Sequence, residues 1–146
     1  MKIKYGLMVA ALTLVTGMAS AGLVQPAEIT VDVVNMIASG DQLTARNAKN
    51  DVEFIGCGIR VTDTGFGTFS FGFCQASDSE GVEITCFTQN AELLDVMKTT
   101  SDFAFITFSW KDDGAGGAEC RRIGFSTQSF YLPKFSKKSK KSKKGK

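Results

Sequence analysis

The sequence predicts a mainly β protein: a small antiparallel barrel of about five or six strands, or a sandwich, held by two disulfides. Three observations lead there. From Val52 onward, short runs of alternating apolar and polar residues recur between turns rich in Gly, Asp and Ser. All twelve phenylalanines lie between Phe54 and Phe135, which concentrates the core-forming volume in that stretch. The four cysteines, Cys57, Cys74, Cys86 and Cys120, fall within the same region.

Taken in order, residues 1–21 read as a cleavable signal peptide. Lys2 and Lys4 give a positive start, residues 7–15 an apolar run, and Ala19-Ser20-Ala21 a small-residue site with cleavage after Ala21. The run is shorter than the roughly 20 residues a membrane-spanning helix needs. A secreted or periplasmic location is therefore expected. Residues 22–50 form an N-terminal segment. Ile29, Val31 and Val33 alternate with Thr30 and Asp32 as in a strand, Ser39-Gly40-Asp41 reads as a turn, and residues 43–50 as a connector or short helix.

Residues 51–133 are the predicted disulfide-bonded β domain. Strands are expected at 52–62, 67–75 and 81–88, separated by the turns Asp63-Thr64-Gly65 and residues 77–81. A helix follows, with Asn90 as its cap, Glu92 and Asp95 near its positive end, and Leu93, Leu94 and Met97 on its apolar side. Residues 102–111 are apolar at nearly every position, as in a central strand. A glycine-rich loop at 112–117 leads into a last strand at 119–127, and 130–133 form a short extended end. Three strands, a helix, then two strands is an OB-like order, and a small antiparallel sandwich or an open sheet with one helix fits it as well.

An even number of cysteines in an exported chain points to disulfides, each stabilising the fold by about 2–4 kcal/mol. Side-chain alternation places Cys57 and Cys86 on the apolar faces of their strands. It places Cys74 opposite the phenylalanines of its strand, and Cys120 beside Arg122. That parity favours Cys57–Cys86 and Cys74–Cys120. A hairpin turning near Gly65 would instead bring Cys57 beside Cys74, given a β-bulge. Both connectivities stay open.

The charge is divided. Residues 22–133 carry fifteen acids against seven bases, a net −8, whereas residues 134–146 carry eight lysines and no acid. These are Lys134, Lys137, Lys138, Lys140, Lys141, Lys143, Lys144 and Lys146, and such a segment reads as a disordered cationic tail. It would contact an anionic polymer or an envelope surface, with strong salt dependence, or serve only as a solubility tail. Phe69, Phe71 and Phe73 form an aromatic row expected in the core against Ile59 and Val61. Exposed, it would be a stacking surface for bases or sugars.

Enzyme chemistry is poorly provided for. The chain has no histidine, so His-based triads and His metal sites are absent. No two cysteines have C-x-x-C spacing, so neither zinc nor thiol catalysis is expected. Asp112, Asp113 and Glu119, like Asp78 and Glu80, lack calcium-loop spacing and read as solvated turns. Paired carboxylates of a glycosidase would need two acids facing one cleft, but the acids fall in turns, caps and polar strand positions. No metal or small-molecule cofactor is expected.

Phe54-Ile55-Gly56-Cys57, Phe73-Cys74, Thr85-Cys86, Phe108-Ser109-Trp110, Glu119-Cys120 and Tyr131-Leu132-Pro133-Lys134 together resemble a group of small, uncharacterised exported bacterial proteins. Those proteins share an aromatic-Ile-Gly-Cys start, four cysteines, an aromatic-rich strand ending in Trp, and a Tyr-x-Pro-Lys end. The similarity covers residues 45–134, and the lysine tail departs from it. It implies export and domain limits but no activity. The expected function is an exported, non-enzymatic binding or surface-associated protein whose tail contacts an anionic polymer. The alternative is a secreted inhibitor or effector that acts on a protein partner through the folded body.

Overall fold

A computed structural model describes residues 22–134. Among them run β1 (Thr30–Asp32), β2 (Ile37–Asp41), α1 (Gln42–Arg46), β3 (Phe54–Asp63), β4 (Thr68–Ser77) and β5 (Glu83–Thr88). Then come α2 (Ala91–Met97), β6 (Phe105–Asp112), β7 (Ala118–Ser126) and a 3-10 turn at Ser129–Tyr131. The protein is mainly β with two disulfides, and α2 sits between the third and fourth strands of the β3–β7 region, capped by Asn90 as its sequence predicts.

The strands form one mixed sheet in the order β1-β2-β6-β7-β5-β4-β3. Neighbours are antiparallel except β5 and β7, which run parallel and register at Phe87 and Glu119. The sequence β3-β4-β5-β7-β6 is the order of an OB barrel, but here β6 pairs with β2 instead of β3. The sheet therefore has seven strands and does not close: of the architectures the sequence allows, the open sheet forms, with more strands than the five or six expected of a barrel or sandwich. Its two extra strands come from the N-terminal segment. The ends still approach, β1 and β2 lying near β4 and β3, so the sheet curls around a concave core.

Two local expectations change. Ser39-Gly40-Asp41 is not a turn but the end of β2. The chain reverses earlier, where the Asp32 carboxylate accepts from the backbone N–H groups of Val34 (3.0 Å) and Asn35 (2.9 Å). Gly40 serves a close approach instead, since a Cβ there would collide with Ile29 and lie 3.0 Å from the Glu28 carbonyl oxygen. Asp41, almost fully buried, caps α1 by accepting from Thr44 N–H (2.7 Å) and also holds Ala27 N–H (2.6 Å). Residues 130–133 are not extended throughout, because Phe130 and Tyr131 belong to the 3-10 turn.

The concave face holds Ile106, Phe108 and Trp110 of β6, Ala38 of β2, Ile123 of β7, and Cys74 and Ala76 of β4. Helix α2 packs there with Leu94 and Met97. Gly72 makes room for it, since a Cβ would come within 2.9 Å of Leu94 Cδ2 and 2.8 Å of Met97 Cε.

The disulfides are Cys57–Cys74 and Cys86–Cys120, not the pairing that parity favours. Cys57, Cys74 and Cys86 face one another in register across β3, β4 and β5, so all three lie on the concave side. Cys74 points inward because the phenylalanine face of β4 is not its core face. No bulge is needed between β3 and β4. The bulge lies in β7, where pairing shifts from Ser109–Arg122 to Trp110–Cys120 and leaves Arg121 without a partner. That extra residue turns Cys120 to the side of Trp110 and away from Arg122.

Candidate functional site

Strand parity sets out the site. With Cys57, Cys74 and Cys86 inward, the alternate residues Arg60, Phe69, Phe71, Phe73, Gln75, Thr85 and Phe87 occupy the convex face of β3–β5. The phenylalanine row thus stands outside the core, opposite Ile59 and Val61, against the expectation that it would pack with them. Phe69 is 45 % exposed and Phe87 51 %.

The rings support one another. Phe69 and Phe71 stack at 6.1 Å between centroids, and Phe87 lies 6.3 Å from Phe71 and 6.5 Å from Phe73. The Arg60 guanidinium sits 4.9 Å from the centre of the Phe73 ring. Gly58 lets Phe73 lie on the strand, as a Cβ would come within 2.8 Å of the ring; Gly56 beside it leaves open space.

A groove flanks this ridge on each side. One, of about 380 Å³, runs along Phe54, Gly56, Arg60, Phe73 and Gln75. The other, of about 550 Å³, lies between Phe71 and Phe87 on one wall and Gln89, Asn90, Asp113 and Glu119 on the other. It forms where β5 ends and the β6–β7 loop passes over the single β5–β7 register point.

The polar wall is fixed by the local chain. Asp113 Oδ1 accepts from the N–H groups of Ala115 (2.8 Å) and Gly117 (2.9 Å). These bonds, the one from Ala115 foremost, hold its carboxyl below the usual aspartate range. Glu119 pairs with Lys111 at 2.7 Å. Asn90 Oδ1 accepts from Leu93 N–H at 3.1 Å, which turns its amide nitrogen toward solvent.

The other end of the convex face is covered. There Tyr131 stacks on Phe105 at 5.6 Å and meets Phe130 edge-on at 4.6 Å, so the C-terminal turn roofs the start of β6. Burial, and secondarily the nearby Asp41 charge, raise the Tyr131 pKa.

Of the sequence-predicted residues, Phe69, Phe71 and Phe73 come together on this face, whereas the cysteines lie across the sheet from them. Lys134 is exposed at the end of the described chain. Lys137, Lys138, Lys140, Lys141, Lys143, Lys144 and Lys146 lie outside the described residues, as does the signal segment at 1–21. The acids weighed for calcium serve their turns: Asp112 Oδ1 accepts from Gly114 N–H (2.7 Å), and Asp78 Oδ1 from Glu80 and Val82 N–H (3.0 Å each).

Sequence reading missed Phe87, Arg60 and the amides Gln89 and Asn90. Phe87 had a usable signal, since Val82, Ile84 and Cys86 on one side of β5 put it on the other. Phe66 was also overlooked. It is fully exposed at the tip of the β3–β4 hairpin, between Gly65 and Gly67, and β4 extends past its pairing with β5 to carry it. No protein-family model, curated protein or solved structure matches the chain.

Proposed function

We propose that this is an exported, non-catalytic binding protein that takes its ligand on the convex face of β3–β5 and contacts an anionic polymer or envelope surface through its lysine tail. One observation carries the reading. Among the described residues, four mutually packed phenylalanine rings, two of them about half exposed, stand on a face whose far end, at Phe105, is roofed by the protein's own C-terminal turn. An uncovered apolar cluster with a polar rim is the usual mark of a docking surface. Export is supported by the two disulfides, which persist in oxidising compartments. No described helix is long and apolar enough to cross a membrane. A binding role without catalysis is supported by the loop carboxylates, which accept backbone N–H bonds within their own turns.

The tail adds a second, electrostatic contact. Each lysine near an anionic surface contributes about 1 kcal/mol, and the attraction fades with salt. The test compares the protein with a version ending at Pro133 on immobilised heparin, lipopolysaccharide and DNA. Retention at low salt that is lost at high salt and lost on truncation is expected. Equal retention of both forms removes the tail from the function.

A protein partner is the second reading, favoured by Phe66. A single aromatic side chain held out on a two-stranded finger has the form of an anchor that fills a partner's pocket. Capture of a specific protein from the exported fraction, lost in Phe66→Ser and kept in Phe87→Ala, would favour it over the face.

A further inference from the structure

We infer that the convex face takes a neutral oligosaccharide laid across β3, β4 and β5 into the groove beside β7. This rests on the reading of that face as the binding surface and adds the chemical class of ligand.

The shape is a track with an end stop. The smaller groove at Phe54 and Gln75, the Phe73–Phe87 ridge, and the larger groove at Asn90 and Asp113 succeed one another across the strands. Strands spaced about 4.8 Å apart make that path on the order of 15 Å, the length of about three linked pyranose rings. Such a ligand offers flat C–H faces to aromatic rings and hydroxyls to a polar wall.

The polar wall matches hydroxyls in kind. Asp113 has Oδ1 occupied by Ala115 and Gly117, which leaves Oδ2 to accept. Glu119 has Oε2 occupied by Lys111, which leaves Oε1. The Asn90 amide nitrogen can donate, because only its oxygen is used in capping α2. Gln89 lines the same groove and can do both. A hydroxyl both donates and accepts, so mixed carboxylate and amide groups satisfy it where a purely basic or purely apolar wall would not.

Charge separates sugars from bases. A stacking platform for single-stranded nucleic acid needs cations along the backbone path. Among the described residues, Arg60 lies on a ring of this face, Arg121 and Arg122 stand beyond the larger groove on β7, Lys111 and Glu119 cancel as a pair, and the larger groove keeps the Asp113 carboxylate. Phosphates would be repelled where the rings invite bases. A neutral ligand meets no such penalty, and polyanions are left to the tail.

The experiment is NMR titration of the 15N-labelled protein with cellohexaose, maltohexaose and N-acetylchitohexaose at millimolar concentration, and separately with a short oligothymidylate. At least one hexaose is expected to shift the backbone amides of Phe71, Phe87, Gln89 and Asn90. Phe87→Ala should weaken that binding about tenfold or more and Gln89→Ala severalfold, with Phe66→Ser unchanged. Both weakened variants alter exposed side chains, and unchanged core resonances verify their fold. If no hexaose moves those amides, or if the shifts lie elsewhere, the saccharide inference is wrong. Oligothymidylate shifting the same amides while no hexaose does overturns the saccharide alone and keeps the face. No shift on the face with any probe overturns both.

Discussion

Removing the Cys86–Cys120 disulfide should destabilise this protein more than removing Cys57–Cys74, and the difference can be worked from the sheet. The two loops follow one another in sequence without overlap, spanning 17 and 34 residues. In the chain-entropy description, closing them restricts the unfolded state by about 3.1 and about 3.8 kcal/mol respectively. The native state widens the gap. Cys57–Cys74 joins two strands already registered over ten residue pairs, and Cys57 is only partly buried. Cys86–Cys120 joins β5 to β7, which register at a single pair, and both its cysteines are fully buried. Losing sulfur leaves a small cavity in the concave core at both Cys86 and Cys120, but only at Cys74 in the hairpin bond, each worth about 0.5 kcal/mol. Cys86→Ala/Cys120→Ala should therefore cost about 4–5 kcal/mol, and Cys57→Ala/Cys74→Ala about 3–4. The assay is urea unfolding of each double variant followed by Trp110, the one tryptophan, buried in the core. Free-thiol titration verifies that the remaining bond has formed. If the hairpin disulfide costs as much as the β5–β7 disulfide or more, the β5–β7 junction is not the weak seam of the sheet and this reasoning fails.

Three further outcomes are expected. Gly72→Val should lower stability by about 1–3 kcal/mol by displacing Leu94 and Met97, whereas Gly56→Ala, which meets open space, should be close to neutral; thermal melts compare them directly. Asp41→Ala should cost about 2–4 kcal/mol, because it removes the cap of α1 and the tether of Ala27 together, with faster hydrogen exchange at both ends of that link as the readout. Tyr131 is the single tyrosine of residues 22–146, so absorbance at 295 nm reports it alone once residues 1–21 are removed. Its folded pKa is raised above the ordinary 10.0, so the stability linked to it is intact below that value and is lost as pH rises through the folded pKa. A midpoint at or below 10.0 would contradict the packing of the C-terminal turn.

The β3–β7 region and α2 were legible because their signals are local. Alternation in β3, β4 and β5, the Asp- and Gly-bearing turns between them, and the Asn90 cap each act within a few residues. What alternation cannot supply is which face of a strand points inward. In β4 the choice lay between three phenylalanines and Ser70, Gly72, Cys74 and Ala76, and bulk argued for the phenylalanines. The helix decided otherwise, since Leu94 and Met97 need the bare surface at Gly72. That contact is remote in sequence. The Arg121 bulge left no mark beyond two adjacent arginines, and the insertion of β1–β2 beside β6 depends on a pairing more than sixty residues away. Of the two connectivities the sequence leaves open, the hairpin one forms, because the inward face of β4 sets Cys74 beside Cys57 and the bulge at Arg121 turns Cys120 to the core.

That inversion makes the phenylalanine row separable from stability, which gives a last expectation. Burying a Phe side chain contributes about 1.5–3 kcal/mol, but only for surface actually removed from water. Phe69 and Phe87 keep about half of theirs exposed, and the core is filled without them by Ile106, Phe108 and Trp110. Their mutual packing returns a further fraction, about 0.5–1.5 kcal/mol per ring pair. Phe69→Ser, with one ring partner, should therefore cost about 1–3 kcal/mol and Phe87→Ser, with two, about 2–4, whereas Phe108→Ser, in the core, should prevent folding. If the surface substitutions also lower aggregation while abolishing ligand binding, the rings are held in the open for recognition. If instead Phe87→Ser unfolds the chain as Phe108→Ser does, the row is a second core and the convex face is not a binding surface.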